Sequence, residues 1–93
     1  MIVEVSLGGV DSQYIQCSDK AGRNIDQLQM EFFDWLGDRN NNHKYWVHLE
    51  EGIYGLEYDA EALVYWLNYV RFKKSVAVLI DQPSSSPEKK IVF

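Results

Sequence analysis

Apolar and polar residues alternate from the start of the chain. Val3, Val5 and Leu7 stand against Glu4 and Ser6, so Ile2 to Leu7 predicts a strand with one buried face. Gly8 and Gly9 end it. Gln13 to Cys17 predicts a second short strand, which makes Gly8 to Ser12 most simply a hairpin connection. A turn-rich passage with Asp19, Lys20, Gly22 and Asn24 then leads into a change of period. At about 100° per residue, Ile25, Leu28, Phe32, Trp35 and Leu36 fall on one arc, the pattern of a helix with one core face. Asn24, with Gln27 three residues on, forms a capping-box-like pair, and Gly37 is placed to end the helix in the left-handed conformation.

Alternation returns after the Asn-rich turn from Asp38 to Asn42. From His43 on, Tyr45, Val47 and Leu49 predict the core face of a strand, which turns Lys44, Trp46, His48 and Glu50 to the open side. Glu51-Gly52 punctuates it, and Ile53 to Leu56 reads as a brief extra strand or an irregular approach to the second helix. That helix, Glu57 to Lys74, is the stretch around which the rest is organised. Asp59 is its N-cap, Glu61 sits in its first turn, and Arg71, Lys73 and Lys74 close the other end, so charge complements the helix dipole at both termini. Ala60, Leu63, Val64, Leu67 and Val70 make the core stripe, with Trp66 at its edge. Tyr65, Tyr69 and Phe72, spaced i, i+4, i+7, land on the opposite side, where a surface helix normally carries charge. A partner, a like subunit, or the chain's own 51–58 segment is expected to cover them.

The run Ser75 to Ile80 is almost wholly apolar and suits a strand in the middle of a sheet. Pro83-Ser-Ser-Ser-Pro87 has loop composition, and Ile91-Val92-Phe93 returns as a short edge strand. The order β-β-α-β-(β)-α-β-(β) predicts an α+β fold. Its two helices pack on one face of a small, largely antiparallel or mixed sheet whose other face is partly open.

Composition narrows the function classes. Ninety-three residues close one domain, and 46% hydrophobic residues suffice for its core. A formal charge of −5 and a pI near 4.8 argue against direct nucleic-acid binding, which needs clustered Lys and Arg. The N-terminus lacks a basic n-region, and no apolar run approaches the roughly 18 residues of a membrane helix. Cys17 stands alone, which excludes an internal disulfide and a multi-cysteine zinc site. A reducing cytoplasm is therefore the expected location.

Catalytic and cofactor signatures are weak. Gly8-Gly9 follows a strand without continuing into a dinucleotide or Walker pattern. His43 and His48, five residues apart on one strand, point to opposite faces and share no metal; no cofactor or metal is expected. Cys17 and the serines lack the local signature of an activated nucleophile, so a small enzyme ranks third among the readings. The strongest chemical signal lies between Tyr45 and Tyr69, where five carboxylates occur with no Lys or Arg, interleaved with aromatic rings. Trp46, Glu50, Glu51, Glu57, Asp59, Glu61, Tyr65, Tyr69 and Phe72 are the candidate partner-binding residues, suited to attract a basic protein and hold it through rigid aromatic contacts. Asp26, Glu31, Asp34 and Asp38 read as the solvated face of the first helix. Size and charge together associate the chain with small acidic inhibitors of a basic partner, of the immunity-protein, antitoxin or phage anti-defence type. The runner-up is a homo-oligomeric structural or accessory domain associating through exposed aromatics.

Overall fold

A computed structural model describes residues 1–9 and 11–93. Six strands and three helices follow one another as β1 (Ile2–Ser6), β2 (Ser12–Cys17), α1 (Asp19–Arg23), α2 (Ile25–Gly37), β3 (Trp46–Glu50), β4 (Ile53–Leu56), α3 (Ala60–Tyr65), β5 (Ala77–Ile80) and β6 (Lys89–Val92). Between α3 and β5 the helix continues as a π-helical segment, Trp66–Arg71.

The main sheet has the order β5-β2-β1-β6, with β1 antiparallel to β2, β2 antiparallel to β5, and β6 parallel to β1. Alternation sends Val3, Val5, Ile15, Cys17, Ala77 and Ile91 to one face, where they join Ile25, Leu28, Phe32, Leu36, Ala60, Leu63, Trp66 and Leu67 in a single core. Both long helices therefore lie on that side. The opposite face carries Glu4, Ser12, Tyr14, Gln16 and Lys90 and leaves Val78 and Val92 more than half exposed. The α+β architecture with one open sheet face is thus what the two periods predict.

The β1–β2 turn uses Gly8 and Gly9 at φ of 92° and 61°, values that disfavour any side chain with a Cβ. Val10, inside the expected Gly8 to Ser12 connection, lies outside the described residues. Residues 81–88 then carry the chain between opposite edges of the sheet, three strand spacings or about 14 Å apart. Glu88 fixes the arrival: its N–H donates to the Ile2 carbonyl (3.0 Å) and its carboxylate accepts from the Ile2 N–H (2.6 Å).

Several local expectations give way to tertiary contacts. The passage after β2 is helical, because Ser18 Oγ accepts the Ala21 N–H and so caps α1, whose Ala21 and Gly22 are buried. Asn24 makes no side-chain cap to α2; its carboxamide donates to the Lys20 carbonyl instead, so the capping-box pair does not form. Gly37 is the last residue of α2 and is not left-handed; the chain leaves through extended Asp38, and the open carbonyls of Trp35 and Leu36 are taken by Asn41 Nδ2 and His43.

Strands β3 and β4 form a separate two-stranded hairpin with a bulge between His48 and Glu50. Only Tyr45, just before β3, is buried; Val47 is half-buried and Leu49 is 65% exposed, so the expected core face stops after its first residue. Strand β5 is an edge strand and not a central one. Its continuous apolar run resembles a strand buried on both sides, yet it pairs only with β2, and Val78 and Leu79 are exposed.

Candidate functional site

Asp59 Oδ1 accepts the Glu61 N–H and caps α3, as its position before the apolar stripe requires. Ala60, Leu63, Trp66 and Leu67 are buried below it. On the outer side Tyr65 is 42% and Tyr69 70% exposed, their rings 5.2 Å apart, and neither the sheet nor residues 51–58 cover them. Phe72 does not continue this row. From Trp66 the helix widens, each residue turns through a smaller angle, and the Phe72 N–H reaches back to the Leu67 carbonyl (3.0 Å). Seven residues after Tyr65, Phe72 has consequently swung towards the core and packs half-buried against it.

The exposed tyrosines are one end of a belt of rings. Tyr65 lies 6.4 Å from Trp35 of α2 and 6.5 Å from Tyr45; Trp35 lies 4.6 Å from His43, and His43 stacks on Trp46 at 5.3 Å with an interplanar angle of 5°. Beyond Trp46, the Arg39 guanidinium sits between the Trp46 and Tyr54 rings at 5.9 and 5.4 Å. His43 is fixed in the middle. Its Nδ1 accepts the Tyr45 N–H (3.2 Å), which leaves the proton on Nε2 to donate to the Leu36 carbonyl (2.8 Å). Trp46, expected on the open side of a strand, is held half-buried by this stacking and by its Nε1–H donating to the Asn41 carbonyl (2.9 Å).

Beside the belt is a cavity of about 330 Å³ lined by Tyr45, Glu57, Tyr58, Asp59 and Glu61. The Glu57 N–H donates to the Tyr45 carbonyl (2.9 Å), which pins the start of this acidic segment on the residue before β3. Asp59 is held by its cap bond and by Gln13 Nε2 (3.4 Å), and Glu61 takes Lys44 Nζ at 3.1 Å. The hydrogen bond to Glu61 raises the Lys44 pKa, so this ammonium stays charged. Tyr45 is buried to 7% exposure with no hydrogen-bond partner for its hydroxyl, and burial pushes its phenol pKa up.

Of the nine candidate residues, the structure brings Trp46, Tyr65 and Tyr69 into the belt and Glu57, Asp59 and Glu61 around the adjoining cavity. Glu50 and Glu51 sit at the far end of the β3–β4 hairpin, and Phe72 belongs to the core margin next to the Arg71–Glu31 ion pair. Sequence reading alone does not find Trp35, His43, Lys44 or Arg39, because they join the site only when α2 and the turn after it pack beside α3. Among the described residues no three His, Cys, Asp or Glu side chains converge as metal ligands, and no helix is long and apolar enough to cross a membrane. Cys17 is buried, and burial raises its thiol pKa. The chain matches no protein-family model, no curated protein and no solved structure.

Proposed function

We propose that this protein is a small cytoplasmic binding module that occludes a basic surface of another protein, an acidic inhibitor of the immunity-protein, antitoxin or phage anti-defence kind. One observation carries the reading: a continuous belt of accessible rings, Tyr69 to Trp46, runs beside carboxylates of which Glu57 and Asp59 have no cationic partner among the described residues. Carboxylates steer a basic partner over distance, and rings held by their neighbours lose little conformational freedom on contact. The buried, protonated Cys17 supports binding over thiol catalysis. The test is affinity capture by the tagged protein at low and high salt, alongside a Tyr65→Ala/Tyr69→Ala variant. A basic protein retained at low salt, released at high salt and lost to the variant is the expected outcome; a partner indifferent to both removes the acidic belt from consideration.

Self-association is the second reading, favoured by one feature: β5 presents Val78 and Leu79 on an unpaired sheet edge. Sedimentation of the purified protein alone distinguishes it, since the inhibitor reading expects a monomer.

A further inference from the structure

The cavity at the start of α3 has features that solvated acidic loops lack, and from them we infer that it receives an arginine side chain of the basic partner. The inference rests on the inhibitor reading and names the group that would anchor it. Three carboxylates within five residues, Glu57, Asp59 and Glu61, stand at the rim, each fixed by a backbone or side-chain contact of its own. Two phenol rings, Tyr45 and Tyr58, supply the remaining lining. The volume of about 330 Å³ admits a side chain and excludes a larger folded element.

The second observation is the Tyr45 hydroxyl, which is buried and bonded to nothing. A buried phenol ordinarily has a partner, and an arriving N–H donor would supply one. A third is Lys44. Its ammonium lies 5.5 Å from the Tyr45 ring centroid while bound to Glu61, so the protein already places a cation of its own between a carboxylate and this ring. Glu57 remains free among the described residues. A planar guanidinium, with five donors, can address Glu57, Glu61 and the phenol oxygen together, whereas a single ammonium such as Lys44 occupies one carboxylate. These carboxylates do not converge as ligands for a metal ion. The partial positive charge at the start of α3 opposes a cation, but Asp59 caps that end and two further carboxylates outweigh it.

Titration of the whole protein with acetyl-Gly-Arg-Gly amide tests the site, followed by backbone amide shifts, with the neutral citrulline isostere as control. The arginine peptide is expected to shift the amides of Tyr45, Glu57 and Glu61 saturably, and the citrulline peptide to leave them unmoved. Glu57→Gln is expected to weaken binding about fivefold, and Lys44→Met, which removes the internal competitor, to strengthen it. Equal binding of both peptides, weaker binding by Lys44→Met, or shifts as large at Glu50 and Glu51 as at Glu57 would overturn the site. A basic partner that still needs Tyr65 and Tyr69 while the arginine peptide leaves Glu57 and Glu61 unmoved overturns this pocket and leaves the belt standing. Loss of both sinks both readings.

Discussion

Two aromatic residues on neighbouring helices show how differently one residue type is used. Phe32 is fully buried, with Phe33, Trp35, Tyr58, Trp66 and Phe93 around its ring. Its replacement by Ala leaves a cavity, and a loss of about 3–5 kcal/mol in urea unfolding is expected. Tyr69→Ala removes a ring that is 70% exposed, so stability is expected to stay within about 1 kcal/mol of the wild type while partner binding falls. A large loss of stability for Tyr69→Ala would show that the ring serves the fold. Cys17 gives a further residue-scale expectation. With its thiol pKa pushed up mainly by burial, less thiolate is present near pH 8 than in an exposed cysteine, so a thiol reagent is expected to react more slowly with native than with unfolded protein. Equal rates would mean that the β2 end opens readily.

At the scale of elements, the end of the α3 helix and the edge of the main sheet are joined through one side chain. Asn68 Oδ1 accepts the N–H groups of Val76 and Ala77 (2.8 and 2.9 Å), and its Nδ2 donates to the Ala77 carbonyl (2.9 Å). The carboxamide thus stands where a neighbouring strand would be, guarding the first half of the β5 edge. Gln29 of α2 treats the other edge similarly, donating to the Val92 carbonyl (2.6 Å). Asn68→Ala is expected to cost about 2 kcal/mol in urea unfolding and to promote concentration-dependent association, seen by sedimentation. Unchanged behaviour in both would remove the guarding role. A few residues on, Lys73 stops the helix at φ of 57°, a left-handed conformation that suits glycine. Lys73→Gly is accordingly expected to raise stability by about 1 kcal/mol, and a loss would mean that the lysine side chain compensates its backbone strain.

Over the whole molecule, shape and charge are both uneven. The extents are 46 × 31 × 19 Å and the radius of gyration is 13.7 Å, against about 12 Å for a compact chain of this length. The β3–β4 hairpin accounts for the difference, since it stands apart from the main sheet with Leu49, Ile53 and Tyr54 exposed. Carboxylates collect where α3 begins, while Arg71, Lys73 and Lys74 lie where the helix ends. Such a charge separation orients an approaching basic partner towards the acidic end. Its effect is screened beyond a Debye length of about 8 Å at physiological ionic strength. Charge reversal at Glu57 and Glu61 is therefore expected to slow association more than it speeds dissociation, with the difference shrinking in high salt. Stopped-flow rates independent of ionic strength would contradict this.

What the amino-acid sequence determined by itself was whatever depends on local period and local capping. The alternation in Ile2 to Ser6, the core stripes led by Ile25 and Ala60, and the Asp59 cap all follow from neighbours a few residues away, and with them the α+β class and the open sheet face. The tertiary structure decided what depends on distant partners. An apolar run such as Ala77 to Ile80 carries no mark of its place in the strand order, and only the pairing with β2 alone makes it an edge. A helical wheel assumes a constant turn angle, so the π-helical widening that removes Phe72 from the row of Tyr65 and Tyr69 could not be read from spacing. The belt depends in the same way on α2 lying beside α3, which brings Trp35 to Tyr65 and His43 to Trp46. Burial without a partner, as at the Tyr45 hydroxyl, is a property of packing in three dimensions and has no counterpart in the order of residues.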